Sequence, residues 1–299
     1  MDSLIAAFDR EGIQLINDYG QDSAPFDGGN LISDADGDVD GFGSEHAAYK
    51  AANFALNRNG YFHYAMNPHS YNSGGSSGLA EVGGDDLINA TLGWSDDYQM
   101  VAGTIMHELG HNLGLQHGGN EKQNRKPNYN SVMNYQYQKS GVDNNCTIPG
   151  NGVLAYSHGT RPSLDENALD ESLGICEDTA PVNWWFKVDW NNDGDFDDAG
   201  SMNIDGKWSE NVGYTYCQDN GNWCVYTAQA GITNPNHTVL TDHDDWGSLI
   251  YTGISDSDGI NIMREVIVED DVEDVIREPS DPIDPLAPTQ IPTRRPGNK

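Results

Sequence analysis

The stretch "HELGHNLGLQH", His107 to His117, is the most informative part of this sequence of 299 residues. Apolar residues recur at every fourth position before and within it, which predicts a helix. On a helix, the side chains of His107 and His111 project from one face and can reach a single metal ion. Gly114 can adopt a turn conformation without a Cβ penalty, so the chain can turn back there and bring His117 to the same ion.

Three imidazoles are a ligand set of catalytic zinc sites, in which zinc binds nitrogen at about 2.0–2.1 Å and keeps one position for water. Glu108 neighbours the first ligand and is expected to point toward that water, so it is the candidate general base. Zinc lowers the pKa of its water to about 7, the carboxylate takes the proton, and the hydroxide attacks a polarised peptide carbonyl. The other interpretation, histidines satisfied in a polar core, does not explain Glu108 or Gly114.

A second stretch, "SVMNY" from Ser131 to Tyr135, follows the histidines. Together the two stretches resemble the metzincin family of zinc peptidases, whose extended zinc motif is followed by a tight turn that contains a methionine and lies beneath the metal. The resemblance implies that the three histidines bind zinc, that Glu108 is the base, and that Met133 is the turn methionine. On its own, Met133 would indicate ordinary core packing.

Two residues near these motifs bear on which metzincin subfamily the sequence resembles. Tyr135 matches the place where astacin-like and serralysin-like members carry a tyrosine, whose phenol can ligate the resting metal or hydrogen-bond the oxyanion. The alternative is a buried aromatic residue. Gly118 departs from both subfamilies, in which the residue after the third histidine is not glycine, so the subfamily is left unassigned.

The resemblance also covers the region before the zinc motif. The segment "SSGLAEVGG" is placed like the edge strand above the cleft, and "DLINATLGW" like the inner strand. An extended peptide can pair with such an edge by β-augmentation. This implies a substrate-binding role for Gly78, Leu79, Ala80 and Glu81. The family also has a strand before its first helix, whereas this sequence begins with a predicted helix. Either the sequence is truncated or the sheet is one strand short, and we expect an exposed sheet edge or reduced stability in consequence.

The implied fold is an α/β (α+β) metzincin-like fold. An upper subdomain with a mixed sheet and two long helices is expected over residues 1–117, and a lower irregular subdomain with a C-terminal helix over 118–263. Residues 264–299 are acidic and then proline-rich, which predicts a disordered tail or linker.

Local patterns predict further elements. Helices are expected in "DSLIAAFDRE", in "SEHAAYKAANFALNRNG" with Ser44 as its cap and Gly60 at its end, and in "PSLDENALDESLG", where Ser163 and Glu166 form a capping box. Strands are expected in "GIQLIND" and "YFHYAM".

The sequence has 47 acidic and 15 basic residues and a formal net charge of -32. This charge repels nucleic acid and anionic membranes. No run approaches the ~18 apolar residues that a membrane span needs, and the first residues do not resemble a signal peptide. We therefore expect no nucleic-acid partner and no membrane span. The family resemblance implies protein or peptide substrates, and we expect a secreted monomer whose export signal lies outside this sequence.

The cysteines favour disulfides over a structural zinc site, because no CxxC pair occurs. Three connectivities are open to Cys146, Cys176, Cys217 and Cys224. The segment "YCQDNGNWCVY" predicts a turn that brings Cys217 close to Cys224, which leaves Cys146 for Cys176. Disulfides would indicate an oxidising compartment, and four free buried thiols are the alternative.

Two acidic loops suggest calcium. "DWNNDGDFDD" fits the first half of an EF-hand-like loop but lacks the closing glutamate. Its candidate ligands are Asp189, Asn191, Asp193 and Asp195, and a solvated acidic turn is the alternative. "SDADGDVDGFGSE", Ser33 to Glu45, fits the same pattern less well.

The motifs therefore predict a secreted zinc-dependent endopeptidase with a structural calcium ion. The alternative from another class is a catalytically weak or inactive metzincin scaffold that acts as a calcium-dependent binding or adhesion protein. The presence of Glu108 argues for the enzyme, because an inactive scaffold would be free to lose its general base.

Overall fold

The fold is described from a computed structural model, which covers residues 1–20, 28–74, 76–90, 97–143, 152–171, 173, 175, 190, 198–201 and 238–251, and the backbone of 215–217, 224–226 and 275–277. The helices there are α1 (Asp2–Arg10), α2 (Ser44–Asn53), α3 (Tyr98–Asn112) and α4 (Asp245–Ser248), with a 3₁₀ turn at Leu56–Arg58. The strands are β1 (Asp38–Val39), β2 (Tyr64–Met66), β3 (Ser70–Tyr71), β4 (Gly78–Glu81), β5 (Asp86–Asn89), β6 (Leu164–Asp165), β7 (Leu169–Asp170), β8 (Ala199–Gly200), β9 (Thr215–Cys217), β10 (Cys224–Tyr226), β11 (Val239–Leu240) and β12 (Val275–Arg277).

The chain divides into two compact units. The first consists of Met1–Gln116 and Ser248–Pro282, and the second of His117–Gly247 and Ile283–Lys299. The predicted boundaries at residues 117 and 263 stay predictions, as does the metzincin-like fold class. Within the described residues, the chain combines helices with small sheets, and none of its helices is long and apolar enough to cross a membrane.

The first helix agrees with the apolar spacing that predicted it. Leu4, Ala7 and Phe8 face inward along one side of α1, and the helix ends just before Gly12, whose φ is +73°. The strand expected after it is not formed, because residues 13–18 are irregular. Asp18 instead accepts hydrogen bonds from the amides of Gly20 and Gly28, so this segment is part of a loop.

The second helix is shorter than expected and has a different cap. Asp40, rather than Ser44, accepts the backbone N–H groups of Glu45 at 2.9 Å and His46 at 3.1 Å. A carboxylate at this end also interacts favourably with the helix dipole. The helix ends at Asn53 and not at Gly60, because Phe54 takes an extended conformation and the 3₁₀ turn follows.

A four-stranded sheet with the order β12-β4-β5-β2 forms the centre of the first unit. The neighbours β4 and β5 are antiparallel and pair Leu79 with Ile88, while β2 runs parallel to β5. Side chains from this sheet and from the parallel pair β1 and β3 form a buried apolar cluster, which consists of Val39, Met66, Tyr71, Leu79, Ile88 and Ala90.

The outer strand β12 lies inside the region expected to be an unstructured tail. Its residues pair antiparallel with β4, with Ile276 opposite Ala80. Val275 and Ile276 are β-branched residues that favour strands, and an open strand edge offers them backbone partners. The expectation of a wholly irregular tail is therefore wrong at Val275–Arg277.

The long helix α3 packs against β4 and β5. Asp97 caps it by accepting the amide of Met100 at 3.0 Å. The turn of the β4–β5 hairpin meets the other end of the helix, where the amide of Gly83 donates to the carbonyl of His111 at 2.8 Å. The hairpin and the metal-motif helix are thereby joined by a direct backbone contact.

Within the second unit, the helix expected from Ser163 to Gly174 is replaced by the short strands β6 and β7. Glu166 does not close a capping box, because its carboxylate accepts the amide of Thr238 at 2.8 Å. Glu171 is fully buried and accepts the amides of Trp190 and Asp198. The local helix signal is therefore overridden by hydrogen bonds to residues far along the chain.

Candidate metal centre

The metal-motif helix ends in a Schellman motif centred on Gly114. The amide of Leu115 donates to the carbonyl of Gly110 at 2.9 Å, and the amide of Gly114 donates to the carbonyl of His111 at 2.8 Å. The φ of Gly114 is +92°, and a Cβ there would lie 2.9 Å from Cδ1 of Ile250. Both the backbone conformation and the lack of space explain the glycine, and the predicted turn at this position is confirmed.

The same motif orients His111. Its Nδ1 lies 2.7 Å from the carbonyl oxygen of Leu115. Because a carbonyl can only accept, Nδ1 carries the proton and Nε2 keeps its lone pair for a metal ion. Nε2 of His111 lies 3.1 Å from Nε2 of His107, and both residues are fully buried.

His117 completes the group six residues later on the same continuous stretch of chain. The ligand nitrogens of His107, His111 and His117 all lie within 4.8 Å of one another. Nitrogens bound to a tetrahedral zinc ion at about 2.0–2.1 Å are about 3.3 Å apart, close to the separation of the two helical Nε2 atoms. The donor set and its spacing therefore fit zinc, as the motif predicts.

The carboxylate of Glu108 lies against the backbone of β4. A Cβ added to Gly78 would be 1.9 Å from Oε1 of Glu108 and 2.5 Å from its Cδ. Glu108 has no exposed surface. Gly78 is therefore glycine because the candidate base occupies the space that a side chain would need, and this contact brings the base next to the first residue of the strand expected to bind substrate.

The strand expected to bind substrate has the predicted bounds, Gly78–Glu81. A buried hydrogen bond helps to fix the first residue of this strand, because the phenol of Tyr71 donates to the carbonyl of Gly78 at 2.6 Å. The edge of β4 that faces away from β5 pairs with β12. The substrate role of these residues stays a prediction.

Tyr135 lies beside the third histidine. The ring centroids of Tyr135 and His117 are 4.3 Å apart with an interplanar angle of 54°, and Tyr135 is half-buried. Its amide donates to the side chain of Asn124 at 3.1 Å, which helps to fix its backbone. The ring is thus not simply part of the apolar core, and a role for its phenol stays open.

Met133 lies in a tight turn, the position that the family resemblance implies for it. The amide of Asn134 donates to the carbonyl of Ser131 at 3.0 Å, and the amide of Met133 donates to the hydroxyl of the same serine at 3.1 Å. The side-chain amide of Asn134 donates to the carbonyls of Lys126 and Tyr129, both at 2.9 Å. Met133 is fully buried at the tip of this anchored turn.

Asn112, directly after His111, is a residue that sequence reasoning missed. Its amide donates to the carbonyls of Glu81 and Asp86, both at 2.9 Å, and its Oδ1 lies 3.2 Å from Nδ1 of His63. It joins the end of α3 to the ends of β4 and β5. The available signal was a polar amide within a largely apolar helix, which indicates a buried hydrogen-bonding role.

His63 and His243 are two histidines outside the metal motif. Burial lowers the pKa of His63, which favours the neutral form of the ring that lies beside Asn112. His243 packs against Gly119. A Cβ added to Gly119 would lie 2.5 Å from the Cβ of His243. Both placements agree with structural roles.

The predicted calcium ligands Asp189, Asn191, Asp193 and Asp195 lie outside the described residues, and calcium stays a prediction. In the loop from Ser33 to Glu45, Asp34 accepts the amide of Gly37 at 2.8 Å. Asp38 in the same loop accepts the amide of Ser73 at 2.7 Å. These carboxylates thus shape the loop by binding backbone amides.

Another acidic group, Glu81, Asp85 and Asp86, lies at the turn of the β4–β5 hairpin. The ammonium of Lys50 forms ion pairs with both aspartates. The ammonium of Lys50 is therefore the cation that this acidic group binds within the chain.

The backbones of Cys217 and Cys224 lie directly opposite each other in the antiparallel pair β9 and β10. This register agrees with the prediction that Cys217 and Cys224 lie close together, and the turn predicted between them lies outside the described residues. Their side chains, and Cys146 and Cys176 entirely, lie outside the described residues, so the disulfides themselves stay predictions.

Comparisons with protein-family models, with curated proteins and with solved structures found no match to this chain. The interpretation of the site therefore rests on its residues and their geometry.

Proposed function

We propose that this chain is a zinc-dependent endopeptidase of the metzincin type. The observation that carries the proposal is the grouping of His107, His111 and His117 within 4.8 Å, with the buried carboxylate of Glu108 held against strand β4. Three imidazoles, a general base and a strand edge are the components that metal-assisted peptide hydrolysis needs.

The three histidines would hold the zinc ion, which when bound lowers the pKa of a water molecule to about 7 and polarises the substrate carbonyl. The side chain of Glu108 accepts a proton from the attacking water and passes it to the leaving amine. Its burial and its contact with Gly78 keep the carboxylate in one place, which avoids reorganisation during the reaction. The phenol of Tyr135 donates a hydrogen bond to the oxyanion that develops on the substrate.

Backbone pairing along Gly78–Glu81 would align an extended peptide beside Glu108. Such pairing uses main-chain groups and so imposes little preference for side chains, which suits an endopeptidase with protein substrates. Because β12 pairs with this edge, a substrate can use it only when β12 leaves it.

Activity on casein, with Glu108→Gln as the matched variant, tests the proposal. Glutamine keeps the size and leaves the three imidazoles unchanged, so Glu108→Gln should bind zinc like the wild type and lose its peptidase activity. A strong chelator should abolish wild-type activity, and one equivalent of zinc should restore it. A wild type that cleaves no faster than Glu108→Gln, with zinc bound in both, would overturn the proposal.

The same experiment separates the enzyme from the alternative scaffold. A calcium-dependent binding protein would be as inactive as Glu108→Gln. Millimolar calcium would raise the melting temperature of either protein, because an ion that binds the native state stabilises it by mass action, so peptidase activity is the measurement that separates the two.

A further inference from the structure

A buried lysine lies next to the loop that follows His117. The side chain of Lys126 has no exposed surface. Its ammonium donates to the carbonyl of Gly118 at 2.9 Å, to the carbonyl of Thr241 at 2.7 Å and to the carboxylate of Glu121 at 2.7 Å. An ammonium has three donors, and all three find acceptors here. A buried charge without such partners would be strongly destabilising.

Two of these acceptors belong to the loop Gly118–Glu121, which begins at the residue after His117. The amide of Gly118 donates to the carbonyl of Glu121 at 2.8 Å, so the loop closes on itself. A Cβ on Gly118 would lie 2.3 Å from the carbonyl oxygen of Gln123. This close approach of two backbones explains why glycine follows the third histidine in this chain.

The acceptors around the Lys126 ammonium indicate that its main role is to bind backbone carbonyls and not to form a surface ion pair. The side chain of Glu121 is 43% exposed, whereas the contact of the lysine with the carbonyl of Gly118 is buried and its contact with the carbonyl of Thr241 is partly buried. An ion pair with so exposed a partner contributes little by itself. The larger effect of Lys126 is therefore to fix the carbonyls of Gly118 and Thr241.

We propose that Lys126 is a positioning residue for the third metal ligand. Its ammonium holds the carbonyl of Gly118 and so fixes the backbone from which the imidazole of His117 projects. This inference rests on the proposed function, because it concerns the same metal site. Lys126 acts through the backbone and not by contact with the ion, as outer-shell partners of metal ligands do.

Zinc affinity of the full chain, measured by competition with a chromophoric chelator, tests this inference. Lys126→Met keeps a similar length without donors, and we expect it to bind zinc about 10- to 100-fold more weakly. Lys122→Met is the matched control, because Lys122 is exposed in the same region and the loss of charge is identical. Its zinc affinity should equal that of the wild type, as surface substitutions have small effects.

A second control separates positioning from general loss of stability. Asp143 is buried and pairs with Arg161 at 3.0 Å, so Asp143→Asn should lower the melting temperature of the zinc-free protein as Lys126→Met does. Zinc affinity should fall in Lys126→Met and stay at the wild-type value in Asp143→Asn. Equal affinity in Lys126→Met and wild type, or equal losses in both variants, would overturn the inference.

Milder variants keep the test decisive if Lys126→Met does not fold. Lys126→Arg keeps the charge but changes the donor geometry. Glu121→Gln keeps both carbonyl contacts of Lys126. Lys126→Arg should therefore lose more zinc affinity than Glu121→Gln. Wild-type affinity in both would overturn the inference. A wild type that binds no zinc would instead overturn the proposed function, and this result is seen before any variant is compared.

Discussion

Replacing Gly78 by alanine would place a methyl group in the space that Glu108 occupies. The added Cβ would lie 1.9 Å from Oε1, 2.5 Å from Cδ and 2.8 Å from Cγ of the glutamate. Ordinary contact begins at 3.4 Å, so the carboxylate must move by about 1.5 Å (3.4 - 1.9) or the strand must shift by as much. Glu108 is fully buried, so surrounding atoms restrict its movement.

The expected effect on the reaction is large. A misplacement of about 1 Å can cost about 100-fold in rate, so we expect kcat/KM of Gly78→Ala to fall by at least that factor. A 100-fold loss corresponds to about 2.7 kcal/mol of transition-state stabilisation. The zinc ligands are not displaced by this change, so zinc affinity should stay unchanged. Overpacking should also lower the free energy of unfolding by about 1–3 kcal/mol.

The measurement is kcat/KM on a quenched-fluorescence peptide, with zinc content and thermal melting determined on the same samples. Gly74→Ala is the matched control, because a Cβ there meets its nearest atom, the carbonyl oxygen of Tyr71, at an ordinary 3.4 Å. If Gly78→Ala is folded, binds zinc and turns over substrate as fast as Gly74→Ala, the close approach of β4 to Glu108 has no part in catalysis.

Three further substitutions test other parts of the site. Gly114→Ala should lower the free energy of unfolding by more than about 1 kcal/mol and weaken zinc binding, because Gly114 has a positive φ and lies against Ile250. Thermal melting tests the first effect, and zinc titration tests the second. Burial raises the pKa of Asp245 to about 7. The native state therefore holds that proton more tightly than the unfolded chain, and the free energy of unfolding should fall as the pH rises from about 4 to about 7. Asp245→Asn should reduce this fall in denaturant titrations, and an unchanged slope would assign the pH dependence to other groups. Tyr135→Phe should lower kcat by about 100-fold while zinc affinity stays unchanged, and an unchanged kcat would leave the ring a packing role.

Several elements could be predicted from local sequence because their determinants are neighbours in the chain. The apolar repeat predicted α3, and Gly114 predicted the turn after it, since a Schellman motif involves only consecutive residues. The strands β4 and β5 lie in the two segments that the family resemblance had marked as strands, "SSGLAEVGG" and "DLINATLGW".

Other local signals were wrong where distant residues compete for the same groups. Glu166 was expected to close a capping box, but its carboxylate binds the amide of Thr238. Ser44 was expected to cap α2, but Asp40 takes that place. A capping pattern identifies a hydrogen-bond partner that is near in sequence. It does not show whether a residue distant in the chain forms a hydrogen bond with the same group.

The sequence by itself determined the identity of the candidate metal ligands, the spacing of His107 and His111 on one helix face, and the general base beside them, because these depend on helix periodicity and on side-chain chemistry. The tertiary structure alone decided that Gly78 lies against Glu108, that Asn112 joins α3 to the hairpin, and that Lys126 holds the loop after His117. These contacts join residues distant in the chain or on separate elements. Their formation depends on how the chain buries its apolar surface while most buried polar groups are still hydrogen-bonded, and no local pattern records that balance.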